Sequence, residues 1–149
     1  MPDSEHTTIT LEMTLAQADA LTAALDLYTR IGLGNLPEIA NLARMGVITA
    51  RDGDNHSEVS ADKIEIIQQI LEVAKVHLGH EVNGHFGIGN EGVTITPRRA
   101  YEVKKVIDKA LWDHRRPGKS FSVQSDGLTV RYTKDPAPLA KVTPQSAPT

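Results

Sequence analysis

Cysteine is absent from the 149-residue chain. That excludes disulfides, thiolate metal sites and cysteine nucleophiles. Aromatic side chains are scarce, with two Phe, three Tyr and one Trp, so aliphatic residues must fill most of any core. No run of eighteen apolar residues occurs, which argues against a membrane span. The opening MPDSEHTT lacks the basic and apolar pattern of a signal peptide, and a cytoplasmic location is the expectation. Nor is there a large excess of charge of one sign. A net charge of −3 argues against a broadly basic nucleic-acid surface and is too small for an acidic DNA mimic.

The length favours one domain. Residues 1–6 are expected to fray, residues 7–133 to form a single α+β domain, and residues 134–149 to form a proline-rich flexible tail. Residues 7–13 (TTITLEM) alternate like a short strand, with Ile9 and Leu11 on one face. Thr14 with Gln17 three residues on reads as a capping box opening a helix to about Arg30. Asn35 is expected to cap a short second helix closed by Gly46, with Pro37 in its first turn. Residues 47–50 read as a small extended segment and residues 51–59 as a polar loop. Ser60 opens a third helix reaching His77 or Leu78. Its broad apolar stripe, including Ile66, Ile70 and Val73, predicts that it is central. Thr96 is expected to cap a fourth helix, with Pro97 at its first position, after a brief strand at residues 93–96. Residues 120–133 read as a hairpin turning at Asp126-Gly127. The predicted fold is therefore α+β: about four helices packed on a small antiparallel sheet made by the N-terminal strand and the C-terminal hairpin.

Chemistry concentrates in residues 79–100, GHEVNGHFGIGNEGVTITPRRA. Five glycines sit between two helical patterns. Arg98 and Arg99 stand where a helix begins, a position at which basic side chains oppose the helix field. That mismatch points to anion binding. The glycine pattern follows a helix and lacks a Gly-Lys-Ser/Thr ending, so it is neither a dinucleotide fingerprint nor a P-loop. A looser phosphate site remains, in which Arg98 and Arg99 neutralise the anion, His85 donates a hydrogen bond and Tyr101 stacks on a base. Arg30 joins this set from the junction at residues 28–35, if that junction meets the glycine-rich segment in space. The plain alternative is solvated arginines and glycines that only make turns.

His77, His80 and His85 raise a second candidate, a divalent metal site with Glu81 or Glu91 as an added carboxylate and a metal-dependent enzyme as its consequence. Against it, the spacing is not HExxH, and histidines at a helix end also satisfy its last carbonyls. Lys104, Lys105, Lys109, Arg115, Arg116 and Lys119 form a basic run without a nucleic-acid-binding motif; a solvated helix face is the default. No G-x-S-x-G elbow supports hydrolysis.

The stretch from Leu27 to Ile39 (LYTRIGLGNLPEI), with Phe86-Gly87-Ile88-Gly89 and Arg99-Ala100-Tyr101-Glu102-Val103, resembles a group of small, uncharacterised phage-encoded proteins, in patches over residues 20–112. The hairpin pattern and proline-rich tail depart from that group. The resemblance implies a phage accessory protein acting in the host cytoplasm, perhaps against host defence, by binding a host protein or sequestering a nucleotide signal. The expectation is a non-enzymatic protein, assembled as a homo-oligomer, that binds a nucleotide or other anionic small molecule. Its rival is a protein–protein interaction module that needs no small ligand.

Overall fold

Thr14 starts the first helix as its sequence predicts. The computed structural model describes residues 7–116 and 123–145. Helix α1 covers Leu15–Gly32. The Thr14 hydroxyl accepts the Gln17 N–H at 3.1 Å, and the Gln17 side chain accepts the Thr14 N–H at 2.9 Å. This reciprocal cap satisfies two donors that a helix start otherwise leaves open. A short helix α2, Glu38–Arg44, follows, with Pro37 rather than Asn35 at its N-cap.

The sheet is not where the sequence predicts it. Strands β1 (Thr49–Asp52) and β2 (Asn55–Glu58) form an antiparallel hairpin in mid-chain, paired from Thr49↔Glu58 to Asp52↔Asn55. Its turn uses Asp52-Gly53, with Gly53 at φ 61°, the left-handed conformation such turns require. The TARD and NHSE strands are polar and exposed, so apolar alternation does not reveal them. Residues 7–13 form no strand. They are extended, with Ile9 and Leu11 exposed, and alternation without a pairing edge does not make a sheet. The predicted C-terminal hairpin falls partly on residues 120–122, outside the described residues; residues 123–133 contain no strand. Asp126-Gly127 does turn, but it packs on a helix instead of closing a ladder. A Cβ on Gly127 would lie 2.6 Å from the Lys109 side chain.

Helices α3 (Ala61–Val76) and α4 (Ile95–Arg115) complete the fold. Helix α4 begins at Thr94, two residues before the expected Thr96 cap, and residues 93–96 form no strand. Pro97 is therefore the third helical residue, still within the first turn, where its missing N–H breaks no helical bond. The main helix pair is α1 with α4. Gly32 permits it: a Cβ there would meet the Pro97 ring at 2.5 Å. Contrary to expectation, α3 is peripheral. It packs on α2 through Ile64, Ala40 and Ala43, with Val59, Ile67 and Leu71 around them. The other side of its broad apolar stripe faces solvent. Lys105, expected on an exposed helix face, is only 8% exposed and donates to the Val123 carbonyl at 2.8 Å.

Candidate functional site

Glu102 is the organising residue of the region around the start of α4. It is 2% exposed, an uncommon position for a carboxylate unless every lone pair is engaged. Its partners come from a segment thirty residues away. One oxygen accepts the N–H groups of Tyr132 at 2.7 Å and Thr133 at 3.0 Å. The other accepts the Thr133 hydroxyl at 2.7 Å and pairs with Arg131 at 3.1 Å. Burial pushes the Glu102 carboxyl up, but the bonds from Arg131, Thr133 and the two backbone N–H groups outweigh it and hold the group below its usual range. Residues 131–135 are thereby laid along α4. Arg99 continues the attachment with a two-pronged pair to Asp135, at 2.7 and 3.1 Å, which holds the Asp135 carboxyl below its usual range. Arg131 also donates to the Asp135 carbonyl.

Between this arm and the first turn of α4 lies an open groove of about 680 Å³, lined by Arg98, Arg99, Arg131, Tyr132 and Lys134 among others. Four cationic side chains face one lining carboxylate, Asp135. Glu102 behind the wall balances a second charge, leaving the groove cationic. Arg98 bonds only carbonyls, Ile88 at 3.3 Å and Asn90 at 2.8 Å. Among the described residues it forms no ion pair, so its charge is uncompensated locally. Thr94 makes no side-chain capping bond to α4, and Ile95 of the first turn also lines the groove. Open N–H groups at a helix start favour negative charge. Tyr132 stands edge to face with Tyr101, ring centroids 5.7 Å apart, and burial, seconded by Tyr132, pushes the Tyr101 hydroxyl above its usual range.

The five residues predicted for an anion site divide. Arg98 and Arg99 line the groove, and Tyr101 supports it from behind through Tyr132. Arg30 belongs elsewhere: it pairs with Asp26 at 2.7 Å and lies 3.8 Å from Glu38, at the end of α1. His85 is exposed, its Nδ1 2.9 Å from the Phe86 carbonyl, and it is not among the lining residues. The junction at residues 28–35 does meet the glycine-rich segment, but as packing. The Phe86 N–H donates to the Leu33 carbonyl at 2.8 Å. Gly34, at φ 88°, lies against the His80 ring so closely that a Cβ would collide with it. Arg131 and Lys134, placed by sequence at the end of a hairpin and in a free tail, are the members that sequence reading missed.

The histidines do not assemble. His80 packs edge-on against Phe86 with centroids 4.6 Å apart, and His77 is the exposed C-cap of α3. Among the described residues no group of three His, Cys, Asp or Glu side chains is arranged to hold a metal ion, which weakens the metal-enzyme alternative. A second hollow, about 580 Å³ between α1 and the end of α4, holds Asp19 paired with Arg115 at 2.8 Å and Arg116 4.7 Å above the Trp112 ring. Its acids Asp19 and Asp108 offset its two arginines. No described helix is long and apolar enough to cross a membrane. Comparison with protein-family models, curated proteins and solved structures finds no match, so the groove itself carries the functional reading.

Proposed function

We propose that this is a non-enzymatic binding protein for a small phosphate-bearing anion, such as a nucleotide, held in the groove between the start of α4 and residues 131–135. The observation that carries this reading is the convergence of Arg98, Arg99, Arg131 and Lys134 on one concavity with a single lining carboxylate. Arginine forks suit phosphate oxygens, which accept two parallel bonds. In this reading Arg98 supplies uncompensated charge. Arg99 exchanges Asp135 for the ligand, and Tyr132, braced by Tyr101, offers a ring face to a base. Nothing in the groove pairs a nucleophile with a base, which favours binding over chemistry.

The resemblance to small phage-encoded accessory proteins gives this activity a setting: a protein of the host cytoplasm that sequesters a nucleotide signal and so counteracts host defence. A second reading, an interaction module acting on a host protein, is favoured by the apolar face that α3 exposes.

Titration calorimetry with inorganic phosphate, a nucleoside monophosphate and a nucleoside triphosphate tests the reading. The expected result is binding that strengthens with phosphate count, weakens with salt, and is lost in a folded Arg98→Ala/Arg99→Ala double variant. Unchanged binding in that variant, or no binding by the native protein, would falsify the assignment.

A further inference from the structure

Helix α3 carries two apolar faces, and the fold uses one. Ile64 is buried against α2, with Ile67 and Leu71 beside it. About a third of a turn around the helix, Ile66, Ile70 and Val73 form a second stripe at the 4–3 spacing of a packing seam. They are 55%, 62% and 62% exposed. Neighbouring polar side chains satisfy one another along the helix: Gln69 bonds Glu65 at 3.2 Å and Gln68 bonds Glu72 at 3.1 Å. These rim groups need no further partner, and the apolar stripe has none.

We infer that this face is the contact between two copies of the chain, with α3 packed antiparallel on α3 of the partner across a two-fold axis at Ile70. The stripe is nearly symmetric about that residue, so an axis there sets Ile66 of one copy against Val73 of the other and Ile70 against its own equivalent. An isologous contact requires such self-complementarity. The ends match as well. Asp62, in the first turn of α3, comes beside the partner copy's C-cap His77, and the antiparallel helix dipoles are favourably opposed.

The surface area supports the same occupant. The chain exposes 11163 Å², whereas a compact monomer of 16.2 kDa exposes about 7,500 Å². Granting the sixteen undescribed residues all the exposure of an unfolded chain removes only about 2,500 Å² of the difference. The remaining excess, spread over α3 and the extended arms, exceeds the roughly 800 Å² per partner that a stable dimer needs to cover. Seven buried hydrophobic residues form the core among the described residues, four of them alanine. Such a small core gains much from apolar surface covered by a second copy.

Sedimentation of the full chain tests the contact. The native protein is expected at twice the 16.2 kDa chain mass, and Ile70→Lys at the single-chain mass with unchanged helical circular dichroism. An independent check uses the absence of cysteine. Ile70→Cys introduces one thiol beside the two-fold axis and should form a covalent dimer on mild oxidation. Ser57→Cys, on the exposed hairpin, should not. A single-chain mass for the native protein at every concentration overturns the inference and leaves the face to a different polypeptide or to residues 1–6 of the same chain. A dimer that survives Ile70→Lys, with no faster crosslinking at residue 70 than at residue 57, overturns it too.

Discussion

Glu102 holds Thr133 twice, through its backbone N–H at 3.0 Å and its hydroxyl at 2.7 Å. This pair of contacts, thirty-one residues apart in sequence, makes residues 131–135 one wall of the cationic groove. Replacing Glu102 with Ala should release that wall. Bonds to a charged acceptor contribute about 1.5–3 kcal/mol each at most, and re-solvation of the freed arm offsets part of the loss, so a net destabilisation of about 2 kcal/mol is expected. Urea unfolding measures it, and limited proteolysis should show earlier cleavage after Arg131 and Lys134. Unchanged stability and cleavage would remove Glu102 from this role.

The same contact should weaken in acid. The folded-state pKa of Glu102 lies below its ordinary value, and that of Asp135 is also lowered, chiefly by the hydrogen bond from Arg99. Both carboxylates therefore contribute stability that is fully present above the unfolded carboxylate range, about pH 4–5. That contribution is lost as pH falls through the depressed folded values. Amide exchange at Tyr132 and Thr133 should accelerate in this window. Glu102→Gln should show fast exchange already at neutral pH; protection equal to the native protein's would contradict the linkage.

Asp135 occupies the Arg99 guanidinium that a ligand would use. Asp135→Asn should therefore tighten phosphate or nucleotide binding several-fold at low salt, and the gain should shrink as salt rises. Calorimetric titration across ionic strengths checks this. Weaker binding in that variant would mean that Asp135 positions Arg99 instead of competing for it.

Gly34 and Gly46 separate two penalties. Both have positive φ, 88° and 73°, but a Cβ at Gly34 collides with His80, whereas one at Gly46 meets nothing within 4 Å. Gly46→Ala should cost about 1 kcal/mol for the backbone conformation alone. Gly34→Ala should cost about 2–4 kcal/mol, with steric strain added to that penalty. Thermal unfolding compares them, and His80→Ala should recover part of the Gly34→Ala loss. Equal costs at the two sites would deny the close approach of residue 34 to the His80 ring.

The legible parts of the fold were the local ones. Thr14 and Gln17, three residues apart, announced the start of α1, and the apolar spacing from Ile64 to Leu71 announced α3. Arg98 and Arg99 stood out because basic residues at a helix start go against the local field. The errors arose where a pattern lacked its partner. Ile9 and Leu11 alternate like a strand but have no neighbouring edge. The same Asp-Gly signal occurs at Asp52-Gly53 and Asp126-Gly127, and only the first has flanks that pair. Ile66, Ile70 and Val73 marked α3 as central, although the folded chain leaves them in solvent.

Helix placement, the Thr14 cap and the exclusion of thiol chemistry were thus determined by the sequence itself, because propensity, capping and composition act within a few residues or on the whole chain at once. Only the tertiary structure decided that Arg131 and Lys134 join Arg98 and Arg99, that Lys105 is buried, and that Arg30 and His85 stand apart. Those outcomes depend on bonds such as Glu102 to Thr133 and Lys105 to Val123. Such bonds form between side chains and distant backbone, so neither periodicity nor local spacing records them.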